Sequence, residues 1–212
     1  MLSAQSSVED FELGASATII SDECIRLTPD MPYVSGSAWY KSAIDLNMPF
    51  EMVICLVLGE KDLEGADGIT FVFHPTMRTG YRGEGMGFGG LVPSFGLEFD
   101  TYQNFHLSDP AEDHLAVMTH GRTFHRFSML PPVKLPNLED GAKHKLRITW
   151  DPLASQLKIW LDEELQLTRS IDLVKEVFDG NSKVFWGVTA ATGRLSNYQD
   201  ICIKKLIFAE AK

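Results

Sequence analysis

The sequence predicts an all-β protein built as an antiparallel β-sandwich, and three observations carry that expectation. Short runs rich in β-branched and aromatic residues recur along the chain, turn residues punctuate them, and helical periodicity is almost absent. With 212 residues and 44% hydrophobic content the chain can bury one sizeable core, so a single domain spanning 1–212 is expected.

The elements follow in order. The acidic stretch 1–14 lacks a continuous apolar run and reads as a loosely ordered N-terminal extension. Strands are expected at 17–27, 36–41, 50–58, 69–74, 96–101 and 114–119, each a β-branched or aromatic run bounded by turn formers. In Lys145-Leu-Arg-Ile-Thr-Trp150, apolar and polar residues alternate; Asp151-Pro152 breaks the run and alternation resumes from Leu157 to Leu161. Strands at 143–151 and 156–162 therefore form a hairpin. Two further strands are expected at 183–190 and 201–209. The one helical expectation, 172–178, is a short connector with Asp172 at its start and Gly180 beyond its end.

Composition removes several classes of function. A formal net charge of −10 repels nucleic acid and anionic membrane alike, so neither is expected as a partner. No apolar run approaches the roughly 20 residues of a spanning helix, and no export signal is visible. Cys24, Cys55 and Cys202 show no CxxC spacing, which argues against a zinc site or a dense disulfide framework. Buried free thiols are the expectation, with a Cys24–Cys202 bridge between terminal strands as the alternative. The glycine-dense stretch holding Gly80, Gly83, Gly85, Gly87, Gly89 and Gly90 mimics a phosphate loop, but neither a helix nor a Lys-Ser/Thr pair follows. It reads instead as backbone that lets a ligand approach closely.

Chemistry concentrates between Glu98 and His114. On a strand, Glu98, Asp100 and Tyr102 share one face, which forces two carboxylates together at the strand end. Such a pair repels unless a cation or a proton lies between. Asn104 and Asp109 follow in a loop, and their oxygens suit Ca²⁺. Glu98 and His114 add a mixed nitrogen and oxygen site suited to Mn²⁺ or a similar divalent metal, with Asp100 and Asp109 bridging the two ions.

The order Glu-x-Asp-x-Tyr-x-Asn, then Asp109-Pro110, then His114 resembles the metal-binding segment of the legume-type (L-type) lectins. Two further stretches extend the resemblance: Ala66-Asp67-Gly68 ahead of an apolar strand, and Phe185 to Gly193 followed by Arg194 and Leu195. Gly36 to Tyr40 is a weaker landmark. The resemblance implies a concanavalin-like jelly roll forming a module of a cell-surface or adhesin-type protein. It implies Ca²⁺ held by Asp100, the Tyr102 carbonyl, Asn104 and Asp109, and a transition metal such as Mn²⁺ held by Glu98, Asp100, Asp109 and His114. It further implies a cis peptide before Asp67, whose carboxylate accepts hydrogen bonds from sugar hydroxyls while Asn104 and the Gly87 N–H donate. Tyr102 or Phe88 would cover the sugar's apolar face, and the loop at Arg194 and Leu195 would vary with the sugar.

In this scheme the expected function is calcium-dependent glycan binding without catalysis, outside the cell or at its surface. Calcium shapes the site without touching the sugar, so monosaccharide affinity is expected near about millimolar. Two rivals remain open. A glycoside hydrolase on the same sandwich would need a second carboxyl group about 5–5.5 Å from the first, yet Tyr102, Gln103 and Asn104 stand where it should be. A calcium-stabilised protein-adhesion module would keep the fold and recognise polypeptide instead. His74, His106, His120, His125 and His144 are expected in surface or structural roles, and Trp39, Trp150, Trp160 and Trp186 in packing.

Overall fold

The computed structural model describes residues 7–128 and 130–209. Two antiparallel sheets face each other. The eight-stranded sheet runs in the order β1 (Phe11–Ala15), β4 (Ser35–Tyr40), β14 (Lys183–Ala191), β7 (Gly68–His74), β8 (Phe95–Asp100), β9 (His114–Thr119) and β10 (Val133–Lys134), with β5 (Ile44–Asp45) also on β14. The seven-stranded sheet runs β13 (Glu164–Ser170), β12 (Gln156–Leu161), β11 (His144–Asp151), β6 (Phe50–Val57), β15 (Gln199–Phe208), β3 (Cys24–Thr28) and β2 (Thr18–Ile19).

Period-two alternation sorts the faces. From β6, Phe50, Met52, Ile54 and Leu56 enter the core; from β8 facing it come Phe95, Leu97 and Phe99. Trp186 on β14 is fully buried, against Phe11, Tyr40 and Phe208. Truncating a side chain of that size in such a core costs about 3–5 kcal/mol. The alternation that buries Phe95, Leu97 and Phe99 turns Glu98 and Asp100 to the opposite face of the same strand. That single consequence of pleat geometry sets the polar site on the outer face of the eight-stranded sheet.

The expected strands form, with small shifts at their ends. The expected strand 17–27 is divided into β2 and β3 by a turn in which Ser21 Oγ accepts the Cys24 N–H at 3.1 Å. The expected helix is a single π-helical turn, Leu173–Val177, capped by Asp172, whose carboxylate accepts the Lys175 N–H at 3.0 Å. Sequence reasoning missed β1, β5, β10 and β13. The last is an edge strand whose Leu165 is exposed, so its alternation is weak.

Two expectations need correction. The 1–14 extension is not loose from residue 7 onward: Val8 and Phe11 are buried in the core and β1 pairs with β4, Phe11 opposite Tyr40. Ser7 and Asp10 close a capping box over the short helical turn Val8–Asp10. The acidic residues there point outward while Val8, Phe11 and Leu13 supply apolar anchors. Residues 1–6 lie outside the described residues. The second correction concerns the thiols: Cys24 and Cys202 are disulfide-bonded because β3 and β15 place them directly opposite, and only Cys55 remains a free, buried thiol.

Among the described residues no helix is long and apolar enough to cross a membrane.

Candidate functional site

The site grows from the ends of β7 and β8. Ala66-Asp67 is a cis peptide, as the sequence resemblance implied. The Asp67 N–H donates to the Ala191 carbonyl at 3.1 Å, and the Asp67 carbonyl accepts from the Thr101 N–H at 3.0 Å. Gln199 donates through Nε2 to the Ala191 carbonyl at 2.9 Å, bracing the same corner. Gly68 follows at φ +150, where a β-carbon would sit 2.2 Å from the Phe99 carbonyl oxygen. Only glycine admits that approach.

With its backbone so fixed, the Asp67 side chain is committed to nothing. It is buried, and Oδ2 has no hydrogen-bond partner. Burial, with a smaller contribution from Glu84, pushes its pKa up to about 7. Gly193 backs onto it, since a β-carbon there would lie 3.4 Å from Asp67 Oδ1. The loop carrying exposed Arg194 and half-buried Leu195 therefore borders this carboxylate.

The acidic cluster begins at Asp100, the residue before Thr101. Register sets Asp100 opposite Gly68 on one side and opposite His114 on the other. Glu98, Asp100, Asp109 and His114 are all buried. The chain then folds back: Asp100 Oδ1 accepts the Tyr102 N–H at 2.7 Å, and Asp109 Oδ2 accepts the Asn104 N–H at 2.6 Å. His114 Nε2 lies 4.0 Å from Asp100 Oδ2.

Burial drives the Glu98 and Asp100 pKa values well above the ordinary carboxylate range, and their acidic neighbours push them further. Burial, reinforced by His125, lowers His114 to about 4. Carboxylates packed this way require a cation or protons for stability. The donor set fits cations: Glu98 Oε2, Asn104 Oδ1 and Asp109 Oδ1 are all buried without a hydrogen-bond partner. Unsatisfied oxygens on Asn104 and Asp109 suit the hard, oxygen-rich sphere of Ca²⁺, and that of Glu98 beside His114 suits a mixed nitrogen and oxygen site.

The structure thus brings together Asp67, Glu98, Asp100, Tyr102, Asn104, Asp109 and His114, with Arg194 and Leu195 at the border. It does not bring Gly87 or Phe88 to a ligand. The Gly87 N–H donates to the Tyr81 carbonyl at 2.7 Å within its own loop, so it is not free for a sugar. Phe88 is fully buried in an apolar cluster with Trp39, Val72 and Met118, because Gly96 leaves room for its ring against the sheet. The loop has turned that ring inward.

Sequence reasoning also missed His125. It is buried, with Nε2 lying 3.0 Å from His114 Nε2, 3.0 Å from Asp109 Oδ1 and 3.4 Å from Glu98 Oε2. Glu98, His114 and His125 form a group whose ligand atoms lie within 4.8 Å of one another. No local motif marks His125; it arrives through the short turn His125–Phe127, eleven residues beyond His114. His74 and His144 keep structural contacts, His74 Nδ1 with the Thr76 carbonyl and His144 between Asp140 and Asp162.

Two facing antiparallel sheets with little helix define a concanavalin-like sandwich in one domain. The chain matches the family described as the legume lectin beta-barrel domain over residues 3–205, and it belongs to that family. The legume lectin family and its lectin neighbours are non-catalytic sugar-binding proteins.

Solved structures of similar fold include lectin II from Ulex europaeus (TM-score 0.77, 19% identity, 92% of this chain and 90% of that one). Basic winged bean lectin with Tn-antigen has a TM-score of 0.74 at 21% identity over 92% and 90% of the two chains. The exoplasmic/lumenal domain of VIP36 in its Ca²⁺/Man3GlcNAc-bound form has a TM-score of 0.73 at 18% identity over 96% and 87%. A curated relative, the serine-rich adhesin for platelets of Staphylococcus aureus, is 36% identical over 85 residues, 38% of this chain. The match spans only 6% of that adhesin's length.

Proposed function

We propose that this chain is a calcium-dependent glycan-binding module acting outside the cell or at its surface, in recognition or adhesion. The observation that carries this is the unpartnered, buried Asp67 carboxylate, tied through Thr101 to the cluster at Asp100. Ca²⁺ would be held by Asp100, the Tyr102 carbonyl, Asn104 and Asp109. A second, transition-metal ion such as Mn²⁺ would be held by Glu98, Asp100, Asp109 and His114. These ions supply positive charge that holds the carboxylates together and fixes the loop carrying Asn104.

Asp67 then accepts from two neighbouring sugar hydroxyls, charge-assisted bonds about twice as strong as neutral ones. Asn104 would donate through Nδ2, its buried and unpartnered Oδ1 being left for Ca²⁺. The half-buried Tyr102 ring covers an apolar sugar face, and the loop at Arg194 and Leu195 sets preference among sugars. Gly87 and Phe88 have no part in this scheme. The calcium-bound and mannose-bound states named for VIP36, and the Tn-antigen of the winged bean lectin, support a cation-assisted glycan site on this sandwich.

The adhesin relative favours a role in surface attachment, which leaves polypeptide as a competing ligand on the same scaffold. A glycan array probed in calcium and again in chelator tests the proposal. Binding to a defined glycan set that vanishes in chelator is expected. Equal array signals in both conditions, or binding to protein ligands alone, would defeat it.

A further inference from the structure

We infer that His125 is a fifth protein ligand of the transition-metal site and turns that site toward a late first-row ion such as Zn²⁺ in preference to Mn²⁺. The inference rests on the two-cation reading above and changes both its ligand count and its metal.

Separations between donor atoms carry the argument. His125 Nε2 stands 3.0 Å from His114 Nε2, 3.0 Å from Asp109 Oδ1 and 3.4 Å from Glu98 Oε2. Ligands bound at about 2.1 Å are separated by about 3.0 Å when adjacent on an octahedron and about 3.4 Å on a tetrahedron. Opposite octahedral ligands are separated by about 4.2 Å. The 4.0 Å between His114 Nε2 and Asp100 Oδ2 is close to that last value. Glu98, His114 and His125 thus present ligand atoms all within 4.8 Å of one another, and Asp109 Oδ1 and Asp100 Oδ2 each lie at a ligand-to-ligand separation from one of the two imidazoles.

Proton accounting agrees. His114 Nδ1 lies 3.2 Å from the Glu112 carbonyl oxygen, an acceptor, so the ring proton belongs on Nδ1 and the Nε2 lone pair faces inward. His125 Nδ1 faces Ser128 Oγ at 3.4 Å, leaving its Nε2 facing the same cluster. Two imidazole nitrogens 3.0 Å apart share at most one proton, and neither Glu98 Oε2 nor Asp109 Oδ1 has a hydrogen-bond partner. A divalent cation satisfies all four atoms together. The His125 ring is fixed for this, buried and edge-on to His114 at 4.9 Å between centroids.

A second imidazole changes selectivity. Carboxylate and water suit Mn²⁺, whereas nitrogen ligands and the general affinity order favour Zn²⁺, Co²⁺ and Ni²⁺. Three carboxylates and two imidazoles leave at most one position of an octahedron for water, so solvent contributes little to the choice.

The test uses metal-free protein reloaded with Ca²⁺ and then dialysed against Mn²⁺ and Zn²⁺ in competition, with bound ions counted by mass spectrometry. Wild type should take Zn²⁺ over Mn²⁺. In His125→Ser the Zn²⁺ affinity should fall by at least about tenfold, the range seen when even a supporting partner of a ligand is lost, while Mn²⁺ falls less and Ca²⁺ is retained. X-ray absorption on Zn²⁺-loaded wild type counts imidazoles without any variant, and two are expected. One imidazole, or a His125→Ser protein with unaltered Zn²⁺ and Mn²⁺ affinities, overturns the assignment while leaving the two-cation reading intact. A wild type that binds calcium but neither transition metal overturns both.

Discussion

Replacing Asp67 by asparagine separates function from stability at one atom. Asp67 Oδ2 has no partner in the protein, and burial pushes the carboxyl from 3.8 to about 7. That displacement of about 3 units corresponds to ~4 kcal/mol at ~1.36 kcal/mol per unit, and water reaching an open site reduces it to about 2 kcal/mol. The sign follows from the folded pKa being raised: wild type has its full stability below about pH 4 and loses it as pH rises through about 7. The amide of the Asp67→Asn variant never ionises, so this protein should match wild type near pH 4 and exceed it by about 1–2 kcal/mol at pH 8 in chelator. Near pH 4 both side chains are neutral and each carries a donor, so the comparison is fair at that end. Glycan binding in calcium should move the other way, falling at least about tenfold, because a neutral amide accepts hydroxyl bonds far more weakly. Urea denaturation across pH, with calorimetric glycan titration, reads both. A variant that binds glycan like wild type, or is less stable at pH 8 than at pH 4 relative to wild type, refutes the role given to this carboxylate.

Stripping divalent ions should lower the melting temperature by about 6 °C for each site saturated at about 100 times its Kd, because ~2.7 kcal/mol of linkage is divided by an unfolding entropy of ~0.45 kcal/mol/K; scanning calorimetry with and without chelator reads it, and no shift would contradict the cation sites. Glu139→Gln should gain about 1–2 kcal/mol at pH 9 and almost nothing at pH 4: burial, opposed by the Asn197 hydrogen bond and aided by Asp113, pushes Glu139 from 4.5 to about 8, so wild-type stability falls across that window. Denaturation midpoints at the two pH values check it, and equal gains at both would contradict the sign. Gly68→Ala should cost about 3 kcal/mol or more and weaken calcium binding, since its β-carbon meets the Phe99 carbonyl and lies 2.9 Å from Asp100 Cα; a variant with wild-type stability would show that this corner yields.

Strands bounded by clear turn formers were legible from residues alone. β9 has the expected bounds, His114–Thr119, because its apolar run lies between turn formers on both sides. β1 was hidden because its acidic flank outweighed Val8 and Phe11, two apolar anchors whose value depends on Tyr40 and Trp186, far along the chain. The disulfide was equally non-local, fixed by the pairing of β3 with β15 across 178 residues.

The site divides along the same line. Glu98, Asp100 and His114 were recoverable because one strand's period and the next strand's first residue determine where they meet. Gly87 and Phe88 were misread, and the nearness of His125 to the cluster was not foreseen, because loops obey no period. Whether Phe88 faces a sugar or the sheet depends on the space left by Gly96, and that space is a property of a different strand.

Position on the sheet also bears on the proposed coupling of metal and ligand chemistry. Asp100 and Asp67 belong to antiparallel neighbours, and Gly68 opposite Asp100 removes the side chain that would separate them. The Thr101 N–H reaches the Asp67 carbonyl directly from the cluster, so a displacement of Asp100 is transmitted to the corner that orients Asp67. A protein of net charge −10 concentrates at this corner four buried carboxylates, Asp67, Glu98, Asp100 and Asp109, that no lysine or arginine neutralises among the described residues. Protons, the neighbouring histidines or cations from solution must supply the compensating charge, and the unpartnered oxygens of Glu98, Asn104 and Asp109 favour cations. On the proposed two-cation reading, occupancy of the cluster would control both the stability of the sheet end and the readiness of Asp67 for a hydroxyl-rich ligand, and the two should be lost over the same range of free calcium.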